Sequence, residues 1–386
     1  MDPFSLNLRH LRAVAAVVQT GSISGASRTV NLTQPAITQG IAKLERQLGL
    51  PLFERRPGGM TPTPAAVLLA PRISAAFRLM DACHATSTQV SAFLALSGAG
   101  GYGAAAARTG LSEPSLHRSV GDLSLALGCR LVERRGKGVV LTARGAAVAR
   151  RFRLGAAELR SAMAELAELG GREVGRITIG AMPLSRAKLL PAAVTAFHAA
   201  HPGVGIGIIE GSHADLVGPL RDGDLDMMVG ALRAPNALEG LTQTPLFRDR
   251  PVVLARSGHP LTGACGGFGP AAMLSFPWIT SAPETPLRTQ WEAMFEAAGS
   301  MAPAVAIECG SVMMIRQMLV QSDALTLLSP DQVAVELEAG WLVKVADAPA
   351  EIARTIGVST RSDWRPTVLQ QAFLDTLTEQ AEAMSL

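Results

Sequence analysis

The stretch "LRAVAAVVQTGSISGASRTVNLTQPAITQGIAKLERQLGLPLFERR", residues 11–56, returns 79 residues later as "VSAFLALSGAGGYGAAAARTGLSEPSLHRSVGDLSLALGCRLVERR", residues 90–135. The register holds without a gap from 11–66 to 90–145. Gly21 meets Gly100, Pro35 meets Pro114, and Leu48-Gly49 meets Leu127-Gly128. Glu54-Arg55-Arg56 meets Glu133-Arg134-Arg135, and Thr63 meets Thr142. Chance matches in an alanine-rich chain would be Ala and Leu, not two glycines, a proline and a charged triplet in one register. An internal repeat of this length is a repeated folding unit.

Each copy carries the same plan. A first helix (Leu11 to Gln19; Val90 to Leu96) stops at Gly21 or Gly100. A short small-residue helix follows, and then Leu-Thr-Gln-Pro (32–35) or Leu-Ser-Glu-Pro (111–114). Thr33 or Ser112 is the expected N-cap, and proline suits the first turn because no partner is needed for its missing N–H. In the third helix Ile37, Ile41, Leu44 and Leu48 fall on one stripe, and Leu116, Val120, Leu123 and Leu127 repeat it. The other face carries Pro35, Gln39 and Arg46, with Gln34 and Thr38 at the N-terminal shoulder. A basic hairpin closes each copy, over 52–63 and 131–142. Three helices and a basic hairpin make the winged helix-turn-helix plan, whose third helix enters a DNA major groove. A small helical bundle with a solvated polar face is the alternative.

At these residues the chain resembles the N-terminal domain of LysR-type transcriptional regulators. The elements are L-T-Q-P-A-I-T, K-L-E-R-Q-L-G, and L-F-E-R-R leading to a threonine. The resemblance implies that Gln34, Pro35, Thr38 and Gln39 face bases and that Ser22, Arg55 and Arg56 hold phosphates, with Thr33 at the helix start. The corresponding candidates in copy two are Ser112, His117, Arg118, Arg134, Arg135 and Lys137. Copy two departs from the pattern: Glu113 stands for Gln34, Val132 for Phe53, and alanines replace Ser27 and Arg28. It reads further operator sequence or serves as an assembly domain. Helices expected over 64–87 and 144–169 are dimerisation helices, as the resemblance implies, or are covered within their own chain.

After Gly170-Gly171 strand-like and helix-like runs alternate, which means an α/β sheet with helices on both faces. "GRITIGAMPLSRAKLLPAAVTAFHAAHPGVGIGIIEG" (175–211) and "LVGPLRDGDLDMMVGAL" (216–232) resemble the effector-binding domain of the same regulators, which is built like periplasmic binding proteins. The pattern is nearest to the branch answering to sugars or aromatic acids such as protocatechuate.

The expected architecture is therefore multidomain. A winged domain (1–66), a connecting helix (67–89), a second winged domain (90–145) and a linker helix (146–171) precede an effector domain (172–386). That last domain divides into 172–255 with 350–386, and 256–349. Ligands in such sheets sit beyond the carboxyl ends of strands. The candidates there are Pro183, Leu184, Ser185, Ser212, Leu232, Arg233, Ser281, Thr285, Cys309, Gly310 and Ser311. Ser185 and Ser311 are also natural helix caps, and Arg233 is otherwise a solvated cation.

Charge agrees with this division. Residues 1–150 hold 17 Lys and Arg against 7 Asp and Glu, a net +10, and the remainder is −7. A basic segment joined to an acidic one suits a polyanion partner for the first. Each copy taken alone carries +4, so charge does not separate them. Four scattered cysteines form no C-x-x-C, so neither a disulfide framework nor a zinc site is expected. No apolar run reaches ~18 residues, and the N-terminus has no secretory pattern. The expected partners are double-stranded DNA, a small-molecule effector, a second copy in a homodimer or homotetramer, and RNA polymerase as a further candidate. No membrane, metal or cofactor is expected, and the compartment is cytoplasmic. An enzyme with a basic accessory module is the alternative, but no G-x-S-x-G, H-E-x-x-H or P-loop supports it. His198 and His201 end a helix and read as surface residues. A solute-binding protein would need export.

Overall fold

The computed structural model describes residues 3–56, 59–80, 85–136, 138–234, 238–262, 270–349 and 351–385. Copy one comprises α1 (Leu8–Thr20), α2 (Ile23–Val30), α3 (Gln34–Leu48), β1 (Phe53–Arg56), β2 (Gly59–Pro62) and α4 (Pro64–Met80). Copy two repeats it as α5 (Ser87–Ala99), α6 (Tyr102–Thr109), α7 (Glu113–Ala126), β3 (Val132–Arg135), β4 (Gly138–Leu141) and α8 (Ala143–Leu169). Gly21 and Gly100 both end their first helix at φ 69°, a left-handed conformation that costs glycine little. Thr33 and Ser112 cap α3 and α7 as expected. The hydroxyls of Thr63 and Thr142 each donate to the carbonyls of the chain entering the hairpin, Pro51 and Arg130, at 2.9 and 2.7 Å.

The two copies do not form separate cores. Leu11, Val14 and Leu44 of the first belong to one apolar cluster with Phe93, Leu116 and Leu123 of the second. The long helices α4 and α8 pack side by side through it. Phe93 and Phe152 meet edge to face where copy one has the buried aliphatic pair Val14 and Ile73. Thus α8 is partnered within its own chain, which is one of the two roles expected for it.

The remainder forms two five-stranded sheets. The first has the order β6-β5-β7-β14-β8, from β5 (Gly175–Ala181), β6 (Val204–Glu210), β7 (Met227–Ala231), β8 (Leu241–Asp249) and β14 (Arg354–Arg361). Helices α9 (Leu189–Ala200), α10 (His213–Asp222) and α15 (Val368–Ser385) pack on it. The second has the order β11-β10-β12-β9-β13, from β9 (Val252–Arg256), β10 (Trp278–Thr280), β11 (Ile307–Glu308), β12 (Leu325–Leu328) and β13 (Leu342–Asp347). Its helices are α11 (Pro270–Met273), α12 (Pro286–Ala297), α13 (Val312–Val320) and α14 (Ala334–Glu338). Trp278, Trp291 and Phe295 form its aromatic centre in edge-to-face contacts.

Three expectations need correction. Residues 252–255 do not end the first unit, because β9 pairs with β12 and β13 in the second sheet. Val252 to Ala255 are all buried, so the run has no polar face to reveal which sheet it joins. The chain crosses between sheets after Asp249 and again after Asp347. The helix that Ser185 is expected to cap begins only at Leu189, and residues 183–188 are turns. Ser185 therefore caps nothing: its buried hydroxyl donates to the Met182 carbonyl at 2.9 Å.

Candidate functional site

In α3 the side chains of Gln34, Pro35 and Gln39 are exposed, and Thr38 is half-buried. The Thr33 hydroxyl accepts from Ala36 N at 3.4 Å, and Ser22 caps α2 through Gly25 N at 3.0 Å. These positions present one face at the start of the third helix. Glu45 fixes the hairpin to that helix, because its Oε1 accepts from Leu52 N (2.8 Å) and Phe53 N (3.2 Å). Its counterpart Ser124 turns back on its own helix, donating to Val120 O at 2.9 Å. Glu45→Ala strands two N–H groups beside buried side chains and is expected to cost about 2 kcal/mol. Denaturant unfolding measures it; an unchanged midpoint would mean that water replaces the carboxylate.

In α7, Glu113, His117 and Arg118 are exposed, as are Arg134 and Arg135 on the hairpin. The His117 ring stacks on Tyr102, with centroids 3.5 Å apart. That stack holds the imidazole in place, a feature copy one lacks because Ile23 stands at the position of Tyr102. The side chains of Arg55 and Arg56, and all of Lys137, lie outside the described residues. So do Cys83 and Cys265; Cys129 and Cys309 are free thiols.

A cleft of about 490 Å³ opens between the two sheets at the carboxyl ends of β5, β6 and β7. Pro183, Leu184, Ser212 and Arg233 line one wall; Ser281, Thr285, Cys309 and Gly310 line the other. Ser212 caps α10 in a reciprocal pair with Asp215. Thr285 caps α12 and its hydroxyl lies 2.7 Å from that of Ser281. Three candidates do not line the cleft. Ser185 is turned into the chain, Ser311 is used as the N-cap of α13, and Leu232 packs beside Gly357.

The cleft also gathers residues that sequence reasoning missed: Arg186, Glu210, His213, Thr326, Gln332 and Arg354. Arg354 comes from a strand that returns from far along the chain, so no local spacing signals it. Arg186 pairs with Glu210, and Arg354 Nε donates to Asp249 at 2.7 Å. Arg233 differs. Among the described residues no carboxylate lies within ion-pair reach of it, and burial lowers its pKa. His213 is also held below the ordinary histidine value, by burial first and then by Arg233 and Arg221. Arg233 Nε, His213 Nε2, Arg186 Nε and Arg354 Nη2 are buried polar atoms without partners in the protein. Four such nitrogens, on residues lining one cleft, can donate to an anion with several acceptor oxygens.

A second recess of about 480 Å³ lies where α8 meets the first sheet and Leu48 of copy one. Its buried Asp226 already accepts from Thr178 N and Gln370 Nε2, so its polar groups are satisfied by the chain itself.

Known families match these two regions separately. The model described as the LysR substrate binding domain covers residues 170–382. The bacterial regulatory helix-turn-helix model of the lysR family matches twice, over 8–67 and 87–146, which are 79 residues apart. The chain belongs to the LysR family of transcriptional regulators. It is a DNA-binding regulator with an effector-binding domain, and the families and relatives it matches are regulators, not enzymes. It is 30% identical to the HTH-type transcriptional regulator GalR of Pseudomonas putida, covering 97% of this chain and 98% of that one. It is 35% identical to the SDS degradation transcriptional activation protein of a Pseudomonas strain, over 69% of this chain and 86% of the relative. Among solved structures, a full-length OxyR variant from Pseudomonas aeruginosa has the same fold, with a TM-score of 0.59, 22% identity, and coverage of 78% and 95%. No helix among the described residues of this LysR-family chain is long and apolar enough to cross a membrane, and none of their side chains cluster as a metal site.

Proposed function

We propose that this regulator is controlled by a small organic anion, a carboxylic acid, held in the cleft between its two α/β sheets, and that it acts in the cytoplasm. The uncompensated Arg233 guanidinium carries this reading. A neutral sugar would leave that half-buried cation unpaired, whereas a carboxylate satisfies it and the neighbouring nitrogens together. Gln332 Oε1, also without a partner, offers an acceptor to a ligand hydroxyl. An aromatic hydroxy-acid combines both features. Homo-oligomerisation and contact with RNA polymerase belong to the same reading. The effector shifts the DNA-bound arrangement by binding one conformation better than another.

Thermal unfolding of the full chain against a panel of acids, their methyl esters and neutral sugars tests the ligand class. Acids are expected to raise the melting temperature and their esters are not. Stabilisation by sugars alone would overturn the reading. The affinity for the acid is also expected to depend on pH. His213 is neutral near pH 7 because its folded pKa is depressed, and it destabilises the free protein as pH falls below about 6.5. A bound carboxylate counters the Arg233 and Arg221 charges that contribute to that depression and gives the imidazolium a partner. Binding therefore takes up a proton, and affinity rises as pH falls from about 7 to about 5. Titration calorimetry in buffers of different ionisation heat measures the uptake; none would remove His213 from the site.

A further inference from the structure

The contacts between the two copies have a symmetry that a tandem repeat does not require. Positions 79 residues apart are equivalent in the two copies. Leu8 and Ser87 are such a pair, and they touch: Leu8 N donates to Ser87 Oγ at 3.2 Å, and that hydroxyl donates to Leu6 O at 2.6 Å. Ala76 and Gly155 are another, and they also touch. A methyl group added at Gly155 would lie 3.1 Å from Ala76 O and would collide with Met80.

Between these two meeting points the contacts are reciprocal. Arg72 and Arg151 are equivalent, and so are Leu79 and Glu158. Arg72 binds the Glu158 carboxylate at 3.3 Å, and Arg151 Nε donates to Leu79 O at 3.1 Å. Residue i of one copy meets j of the other, and j meets i. That is the signature of a two-fold, isologous interface. Copies stacked head to tail would place unlike positions against each other and would bring no position against its own equivalent. The pairs Arg72–Glu158, Ala76–Gly155 and Leu79–Arg151 also run in opposite directions along α4 and α8, as helices related by a two-fold perpendicular to their length do.

We propose that one chain carries a complete two-fold pair of winged domains within itself and reads both halves of an inverted-repeat operator, with the two halves unlike in sequence. The proposal rests on the DNA-binding reading above. A two-fold pair presents α3 and α7 to two half-sites related by the same axis. The faces they present differ. Copy one offers Gln34, Thr38 and Gln39, and amides suit adenine. Copy two offers Glu113, His117 and Arg118, and a guanidinium with a carboxylate suits a G·C pair. The departures of copy two from the family pattern thus become a second specificity.

In vitro selection of randomised duplexes by the full-length chain, followed by sedimentation of the complex on the shortest selected duplex, tests this. The expected site is an inverted pair of unlike half-sites occupied by one chain. Thr38→Ala with Gln39→Ala should relax base preference in one half only, by roughly 5- to 100-fold. His117→Ala with Arg118→Ala should relax the other half by a similar factor. Gln39, His117 and Arg118 are exposed and Thr38 is half-buried, and an unchanged melting temperature confirms that each variant is folded. Identical half-sites holding two chains, a direct repeat, or a site indifferent to the copy-two substitutions would overturn the proposal. Failure to enrich any duplex would overturn the DNA-binding reading itself, a result distinct from the other three.

Discussion

Replacing Arg72 with methionine is expected to destabilise the N-terminal unit by about 3 kcal/mol, on the order of 10 °C in melting temperature for a unit of this size. The Arg72 side chain is 7% exposed and lies between Glu158 and Glu165 of α8. It also donates to the carbonyl of Arg365 at 2.9 Å, where the chain runs from β14 to α15. Opposed charges hold its pKa up against the cost of burial. Without it, Glu158 keeps Arg365 at 2.9 Å, but Glu165, 15% exposed, loses its ion pair. An unpaired, nearly buried carboxylate costs more than the pair contributes. Arg72→Met with Glu165→Leu should therefore recover most of the loss. If the double variant is no more stable than the single one, buried charge is not the cause. Because Arg72 touches α8 and the effector domain at once, Arg72→Met should also weaken the link between ligand and DNA. Acid-induced changes in the footprint should shrink even at temperatures where the variant is folded.

Arg233→Met is expected to act in opposite directions on binding and on stability. The charged hydrogen bond it would lose is worth about 1.5–3 kcal/mol, so affinity for the acid should fall roughly 10- to 100-fold. The unliganded chain should be as stable as before, or more so, because a desolvated cation without a counter-charge has been replaced by an apolar side chain of similar length. Calorimetric titration and thermal unfolding of the same preparation separate the two effects. Undiminished acid binding would move the anion site away from Arg233. Loss of stability equal to the loss of affinity would mean that Arg233 holds the fold.

Much of the effector cleft was legible because helix caps and strand ends have local signatures. Ser212 and Thr285 are caps that also face the cleft, and Pro183 and Leu184 follow a strand that reads clearly from Ile177 and Ile179. Ser311 shows the ambiguity of that signature, since capping and ligand binding call for the same hydroxyl. The strands β8 and β13 carry weak local signals. Pro245 argues against a strand, and it is tolerated because β8 is an edge. In β13 an irregular register between Lys344 and Ala346 breaks the alternation. Arg354 and Gln332 were invisible as site residues because only the crossing of the chain between sheets brings them to the cleft.

The sequence by itself determined the 79-residue repeat, the caps and glycine stops of each helix, the apolar stripes and the charge division. All of these are local properties of spacing and residue type. Tertiary structure alone decided what covers α4 and α8. An apolar stripe on a helix is equally satisfied by a second chain or by its own, because burial has no direction along the sequence. Close approach at Gly155 and the reach of Arg72 to Glu158 and Glu165 settle it for the same chain. The repeat then becomes more than a longer DNA-binding segment, since its two copies face each other across an axis that no periodicity could reveal.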